Sequence, residues 1–232
     1  MKLFIANWKM QLDLTEQINY CEKNLEALKK IENKVVLCPT FPALVGVGQI
    51  VKDSGVAVGA QSCSEFESGA HTGQVSAKTI AQTGCSYIIV GHSEERIAGI
   101  ANEQIAQKAL RALEAGVIPI ICIGESKEAH DSGNTENVLR AQLMALKEAI
   151  QTAPAYIAYE PVWAIGSGTT PGREELTKIM GFIKKEMPGC ALLYGGSVTQ
   201  KNSKELLAIE HICGLLVGGA SLDFQEFKKI VS

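Results

Sequence analysis

The residue with the clearest chemical potential in this sequence is a glutamate at the end of an apolar run. Glu160 follows residues 156–159 and precedes Pro161, which biases it toward extended backbone. Gly166 and Gly168 then allow angles that other residues avoid, which suits a stiff flap over a site. A lone Glu-Pro pair is more often a solvent-facing loop. The rest of the chain favours a catalytic base under a lid, and that lid comprises Pro161, Val162, Trp163, Ala164, Ile165, Gly166, Ser167, Gly168, Thr169 and Thr170.

Other polar residues also come directly after short apolar runs. Asn7 and Lys9 follow the first run, His92 and Glu94 the fourth, and Glu125 the fifth. A carboxylate base, a histidine that polarises an oxygen and an ammonium near developing negative charge suit proton abstraction next to a carbonyl, which gives an enediolate. Each of these residues alone has an ordinary structural explanation. Their shared position at strand ends is what supports the chemistry.

Two glycine-rich segments predict a phosphate site. Residues 195–197 end in Ser197, and residues 218–221 begin with Gly218 and Gly219. Their backbone N–H groups are not obstructed by side chains, and they follow the last two apolar runs, where α/β barrels commonly bind phosphate. Gly166 on the lid adds a further donor, so that closure over the phosphate completes the site.

The elements that position these residues form a repeating pattern. Apolar, β-branched runs occur at residues 3–6, 35–38, 56–60, 87–90, 117–123, 156–159, 191–194 and 212–217, and most are separated by segments with helical periodicity. Continuous apolar strands joined through helices predict a parallel sheet buried on both faces. Eight such units predict one (β/α)8 barrel domain over residues 1–232. An open doubly wound sheet is the alternative, but the first turn at residues 7–10 lacks G-x-G-x-x-G.

Composition narrows the class of protein. The 232 residues carry 22 basic and 25 acidic side chains, a net charge of −3, and scattered lysine pairs that fit solvated helix faces better than nucleic-acid binding. Seven cysteines without a C-x-x-C pair suggest a reducing cytoplasm. The sequence predicts no membrane span, no cofactor and no metal site, since the four histidines lack H-x-x-x-H spacing.

Six segments make the resemblance to a known family specific. In family order along the whole chain, they resemble segments of the triosephosphate isomerase family, whose reaction is itself a standard example of a carboxylate base paired with a neutral imidazole beneath a closing loop. The segments are Ala6-Asn7-Trp8-Lys9-Met10, Gly91-His92-Ser93-Glu94, Cys122-Ile123-Gly124-Glu125, residues 158–168, Tyr194-Gly195-Gly196-Ser197-Val198 and Leu216-Val217-Gly218-Gly219-Ala220-Ser221.

The resemblance implies an isomerase of glycolysis and gluconeogenesis that interconverts dihydroxyacetone phosphate and D-glyceraldehyde 3-phosphate. It implies Glu160 as base and His92 as electrophile. Asn7 and Lys9 would contact substrate, with Glu94 connected to the lysine. Cys122 would pack beside the base, and Trp163 would anchor the lid. The implied phosphate ligands are Gly166, Ser197, Gly218 and Gly219.

The resemblance also implies a homodimer. Residues 61–74 are similar to the family loop that enters the neighbouring subunit, which would place Thr72 and Gly73 at the partner's site. An exposed loop without that role is the alternative.

Some positions depart from the family pattern. Glu95 stands where an arginine is common, Gln74 replaces a usual glutamate, Ser167 replaces a threonine, and residues 97–101 are one residue short. These changes put a supporting salt-bridge network in doubt. Two other functions remain open: a catalytically silent barrel that binds a phosphate ligand, and another sugar-phosphate isomerase or epimerase.

Overall fold

Eight parallel strands close into a barrel in the computed structural model, which describes residues 1–150, 154–166 and 168–232. Each strand pairs with the next, and the first pairs with the last through Leu3 and Gly214 to Ala6 and Val217. This confirms the predicted (β/α)8 barrel and its eight strands. They are β1 Leu3–Asn7, β2 Lys34–Cys38, β3 Ala57–Ala60, β4 Tyr87–Val90, β5 Ile118–Ile123, β6 Tyr156–Tyr159, β7 Ala191–Tyr194 and β8 Ile212–Val217.

Helices cover the outside of the barrel and begin at recognisable caps. Asp13 and Glu16 form a reciprocal capping box at the first helix, and Ser76, Ser126 and Asp223 cap three others through their side chains. The described residues include α1 Leu14–Leu28, α2 Leu44–Val51, α3 Ala77–Gln82, α4 Ser93–Ile97, α5 Asn102–Glu114, α6 Lys127–Asp131, α7 Thr135–Ile150, α8 Arg173–Glu186, α9 Ser203–Leu207 and α10 Phe224–Val231, with short 3₁₀ helices at Phe41–Ala43, Val162–Ala164 and Gly219–Ser221.

Alternation along each strand divides the core into two layers. Leu3 and Ile5 lie in the inner cluster that fills the barrel, whereas Phe4 and Ala6 lie in the outer cluster under the helices. Successive residues of a strand face opposite sides of the sheet. The inward set of β1 therefore continues to Asn7 at the carboxyl end. On β6 the inward Ala158 is followed, two residues later, by Glu160.

The helices and the cysteines can be compared with what the sequence predicts about membrane spans and disulfides. Among these residues, every helix is too short or too polar to cross a bilayer. All seven cysteines are unpaired, six of them buried and Cys213 half-buried.

Candidate active site

A cavity of about 300 Å³ opens at the carboxyl ends of the strands. This rim is where active sites of (β/α)8 barrels lie. The cavity brings together residues predicted from five separate parts of the sequence. Asn7, Lys9, His92, Glu160, Gly166, Ser197, Gly218 and Gly219 all line it.

The carboxylate of Glu160 is buried and held from two sides. Its side chain is 2% exposed, and Oε2 accepts a hydrogen bond of 3.0 Å from the backbone N–H of Ser93 at the start of α4. Gly195 makes room for it, because a Cβ there would lie 2.9 Å from Cγ of Glu160. Gly124 likewise leaves space for the Glu160 carbonyl group. The carboxylate is thus placed with little freedom and with Oε1 facing His92.

The imidazole of His92 has a defined hydrogen-bonding pattern. Nδ1 accepts a 3.2 Å hydrogen bond from the backbone N–H of Glu94, because His92 is the N-cap of α4. An acceptor Nδ1 leaves the proton of a neutral ring on Nε2. Nε2 lies 3.3 Å from Oε1 of Glu160. The cavity therefore contains a ring N–H donor beside a carboxylate.

Lys9 is fixed by its backbone as well as its side chain. Its φ of 52° lies in the left-handed region, which is unfavourable for residues other than glycine. The side chain of Asn7 accepts from the Lys9 N–H at 3.1 Å, and the amide of Gln61 donates to the Lys9 carbonyl at 2.8 Å. Nζ is 2.8 Å from Oε1 of Glu94. Partial burial of the Glu94 carboxyl group acts to raise its pKa. The hydrogen bond from Lys9 and the positive charge of Lys9 outweigh this effect, so the pKa of Glu94 is lowered.

The opposite wall of the cavity consists mainly of backbone. Gly195, Gly196 and Ser197 follow β7, and Gly218 and Gly219 follow β8 at the start of the 3₁₀ helix Gly219–Ser221. A helix start and glycine amides favour an anion at this wall. The hydroxyl of Ser197 currently donates to the carbonyl of Ala164 in the lid at 2.5 Å.

The predicted lid passes over this cavity through Ile165, Gly166 and Gly168. Ser167, also predicted to belong to it, lies outside the described residues. Trp163 was expected to be a hydrophobic anchor, and it is also a polar one, since Nε1 donates to Oε1 of Glu125 at 2.8 Å. The hydroxyl of Tyr159 donates to the same oxygen at 3.0 Å.

Glu94 and Glu125 do not line the cavity, unlike Asn7, Lys9, His92 and Glu160, and Glu125 contacts the lid instead. It is fully buried, and this burial raises the pKa of its carboxyl group although the hydrogen bonds from Trp163 and Tyr159 lower it. Its position follows from alternation, because Ile123 lies in the outer cluster and Glu125 is two residues further on.

The doubtful salt-bridge network is present in another form. Glu95 accepts hydrogen bonds from the N–H of Gly91 at 2.7 Å, the hydroxyl of Ser62 at 2.6 Å and Nζ of Lys108 at 2.5 Å. Arg96 donates instead to carbonyl groups, including that of Cys122 at 2.9 Å. The charge change at position 95 is thus matched by Lys108, and the segment that carries His92 remains tied to its neighbours.

Two other expectations concern side chains near the site. Cys122 packs inside the barrel, and burial raises the pKa of its thiol well above the ordinary value, with the Glu160 charge adding to this effect. Thr72 and Gly73 lie exposed on the segment 61–74, away from the cavity of their own chain. Within the described ranges, no three or more His, Cys, Asp or Glu side chains are grouped to hold a metal ion.

Sequence reasoning missed the groups that hold the functional side chains. These are the Ser93 amide, the amide group of Gln61, and the space left by Gly124 and Gly195. The strand period of two offered a signal for Gly195, because it places this residue on the inward face of β7 beside Glu160. The contact of Gln61 with Lys9 joins residues 52 positions apart, so spacing gave no sign of it.

Comparison with known proteins gives a consistent result over the same residues. A family model described as triosephosphate isomerase matches residues 2–232. The chain belongs to the triosephosphate isomerase family. The triosephosphate isomerase of Aquifex aeolicus is 40% identical, with 99% of this chain and 98% of that protein covered. That of Hahella chejuensis is 42% identical, with 99% and 97% covered. That of Wolbachia sp. subsp. Brugia malayi is 37% identical, with 99% and 96% covered.

Family membership confirms the resemblance found in the sequence. The triosephosphate isomerase model spans every residue that lines the cavity, from Asn7 to Glu226. The segment around Glu95 therefore lies within a family match that runs through it, despite the replaced charge.

Proposed function

We propose that this chain interconverts dihydroxyacetone phosphate and D-glyceraldehyde 3-phosphate as an enzyme of glycolysis and gluconeogenesis. Membership of the triosephosphate isomerase family supports this substrate pair. The observation that carries the proposal is the 3.3 Å approach of His92 Nε2 to Glu160 Oε1 within a cavity lined on its other side by glycine backbone.

In the proposed reaction, Glu160 removes a proton from the carbon next to the substrate carbonyl. The electrons of the broken C–H bond form a C–C double bond, and the carbonyl electrons move onto oxygen to give an enediolate. His92 donates from Nε2 toward that oxygen, and Lys9 with Asn7 stabilises the negative charge. Transfer of the hydroxyl proton from one enediolate oxygen to the other, by way of His92 Nε2, moves the carbonyl to the neighbouring carbon, and Glu160 returns its proton to the carbon that loses the carbonyl, which completes the isomerisation. Glu94 acts as a positioning residue, through its 2.8 Å contact with Lys9.

The phosphate group is assigned to the backbone wall of the cavity. Gly166, Ser197, Gly218 and Gly219 are the proposed donors, and a phosphate there would draw the lid, residues 161–170, over the substrate. The backbone N–H of Ser197 is the proposed donor, so its hydroxyl can keep the hydrogen bond to Ala164 of the lid while the ligand is bound. A closed lid would also exclude water and thereby strengthen the interactions with the enediolate.

Two alternatives predict different substrates. A catalytically silent barrel would bind a phosphate ligand without turnover, and the buried, aligned Glu160 and His92 argue against it. Another sugar-phosphate isomerase or epimerase would act on larger sugars. Membership of the triosephosphate isomerase family favours a three-carbon phosphate.

We also infer that the chain works as a single barrel domain over residues 1–232 and as a homodimer. The segment 61–74 presents Thr72 and Gly73 to solvent, and Phe66 stacks on His71 with ring centroids 3.7 Å apart. A partner subunit would cover this segment and bring Thr72 near its own Asn7 and His92. Sedimentation at micromolar concentration tests this, and a fully active monomer would contradict it.

Cellular location and remaining partners follow from composition. We place the protein in the cytoplasm, on account of its seven unpaired cysteines, with triose phosphates as its small-molecule ligands and with neither nucleic acid nor membrane as a partner.

Proton transfer can be tested by following dihydroxyacetone phosphate in deuterated water by NMR. We expect the unaltered protein to form D-glyceraldehyde 3-phosphate and to incorporate solvent deuterium. Glu160→Gln should lower the rate roughly 10³-fold, because general base catalysis contributes on this scale. Glu22→Gln is a matched control on the exposed face of α1 and should change nothing. Near-normal exchange in Glu160→Gln would remove Glu160 from the base role.

A further inference from the structure

A buried glutamine on α7 bonds to the backbone beside the proposed base. Gln142 is 8% exposed, and its side-chain amide faces Gly124, the residue directly after β5. Its Oε1 accepts a 2.9 Å hydrogen bond from the Gly124 N–H, and its Nε2 donates at 2.8 Å to the Gly124 carbonyl. Only this orientation of the amide matches a donor to each acceptor, so one side chain satisfies both backbone groups of the glycine.

The peptide unit that Gln142 holds also holds Glu160. The carbonyl of Ile123, in the same peptide unit as the Gly124 N–H, accepts a 2.7 Å hydrogen bond from the Glu160 N–H. A Cβ at position 124 would lie 1.7 Å from the Glu160 carbonyl oxygen, so the two backbones approach closely here. A trans peptide is planar, and its C=O and N–H point to opposite sides. Gln142 therefore fixes one edge of a rigid unit whose other edge bonds to Glu160.

The buried face of α7 is otherwise apolar. Gln142 shares this face with the aliphatic side chains of Leu139, Leu143, Leu146 and Ile150. Burying an amide group costs free energy unless it is hydrogen-bonded, so a glutamine here indicates a need at its backbone partner. Gly124 comes just after the last residue pair of the β5–β6 register, Ile123 with Tyr159. The Gln142 amide thus takes the place of a neighbouring strand where the ladder ends.

We propose that Gln142 is a positioning residue for the base, because it fixes the Ile123–Gly124 peptide and, through that peptide, the backbone of Glu160. The inference rests on the proposed function, since it concerns the base of that reaction. Ser93 holds the carboxylate end of Glu160 at 3.0 Å, and Gln142 acts on the backbone end of the same residue. Gln142 does not line the central cavity, so its effect on turnover passes through Glu160.

The first experiment separates turnover from phosphate binding. Gln142→Met removes both hydrogen bonds and keeps the length of the side chain. We expect kcat to fall by roughly 10 to 100-fold, because the freed peptide turns toward other partners and carries Glu160 with it. The dissociation constant of inorganic phosphate should stay within about twofold, since the phosphate wall follows β7 and β8. Gln142→Asn, whose amide is one methylene shorter, is the milder variant should Gln142→Met not fold, and the same pattern is expected at smaller size.

Asn33→Leu is the matched control for a loss of stability. The Asn33 amide also bridges two backbone groups, since it accepts from the Lys2 N–H at 3.0 Å and donates to the Val231 carbonyl at 2.9 Å. These residues lie at the amino end of the barrel, opposite the cavity. Urea denaturation should show a lower stability for both variants, whereas kcat of Asn33→Leu should stay within about twofold of the unaltered protein. Equal losses of kcat in the two variants, or a parallel loss of phosphate binding in Gln142→Met, would overturn the proposal.

The second experiment follows the Glu160 amide without substrate. Hydrogen exchange measured by NMR reports how often the bond from the Glu160 N–H to the Ile123 carbonyl opens. In Gln142→Met this amide should exchange about 10-fold faster relative to the amides of β6, whereas Asn33→Leu should leave the ratio unchanged. An unchanged ratio in Gln142→Met overturns the proposal. This measurement needs no turnover, so Gln142 can be shown to hold Glu160 in a protein that fails to isomerise triose phosphates, and the two proposals fail separately.

Discussion

The two halves of the barrel rim hold their functional groups by different means. On the side of β1 and β4, side chains face the cavity and each has fixed partners: Lys9 is held by Asn7, Gln61 and Glu94, and His92 by an amide of α4. On the side of β7 and β8, the cavity is lined largely by glycine backbone, and the lid that covers it bonds to Ser197 and Glu125.

This difference separates two tasks. Reacting groups must keep their geometry to within a fraction of an ångström, and dense hydrogen bonding provides that. A phosphate group needs several donors that approach closely, and bare backbone provides these at low steric cost. Glu160 lies between the halves. Its carboxylate is fixed by Ser93 on one side, while its backbone leads directly into the lid.

The largest effect on turnover is expected when the side of the rim at β1 and β4 loses the positive charge of Lys9. Lys9→Met should lower kcat by roughly 10² to 10³-fold, because it removes a donor to the enediolate. Glu94→Gln is the matched control. It keeps an acceptor for Lys9 and should cost far less. Steady-state kinetics on both variants shows whether the charge of Lys9 itself is needed for turnover. An unchanged kcat/KM for Lys9→Met would take this residue out of the mechanism.

Two glycines offer a sharper contrast between the halves. Gly195→Ala pushes a Cβ to 2.9 Å from Cγ of Glu160 and should lower kcat by about 10 to 100-fold by displacing the base. Gly219→Ala meets no atom within 4 Å in the protein and should act mainly on KM, through the approach of the phosphate. Circular dichroism confirms folding of both. If Gly195→Ala and Gly219→Ala changed kcat and KM in the same way, the two sides of the rim would not have separate roles in turnover and phosphate binding.

A smaller effect is expected from the network behind His92. Glu95→Gln removes the charge that pairs with Lys108 and should lower the free energy of unfolding by about 1–3 kcal/mol, measured by urea denaturation, since the pair is largely buried. Activity should fall only a few-fold, because Gly91 and His92 keep the Arg96 contacts. Lys108→Met should give a similar loss of stability, and an additive double variant would show that the two side chains do not interact.

Most of the fold could be predicted from the sequence, because buried parallel strands have an unmistakable composition. All eight observed strands agree with the predicted runs to within a residue at each end, and helices occupy the segments of helical periodicity between them. Glu160, His92 and Lys9 could be selected because they follow such strands.

The supporting contacts could not be predicted in the same way. The charge at position 95 looked like the loss of a network, since nothing in the spacing reveals that Lys108 lies within 2.5 Å of it. The sequence places Glu125 directly after β5 and so predicts it at the cavity, whereas the alternation of that strand turns its side chain toward the lid. Gln142 belongs to no motif, and only the folded chain brings its amide against Gly124.

The most direct test of the division between the two halves is to measure turnover and ligand binding in the same Glu160→Gln protein. Calorimetric titration with inorganic phosphate, which has no carbon skeleton to contact Glu160, reports on the backbone wall alone. We predict a dissociation constant within about threefold of the unaltered protein, alongside a roughly 10³-fold loss of turnover. A parallel loss of binding and turnover would contradict the account, because the base and the phosphate wall would then depend on one another.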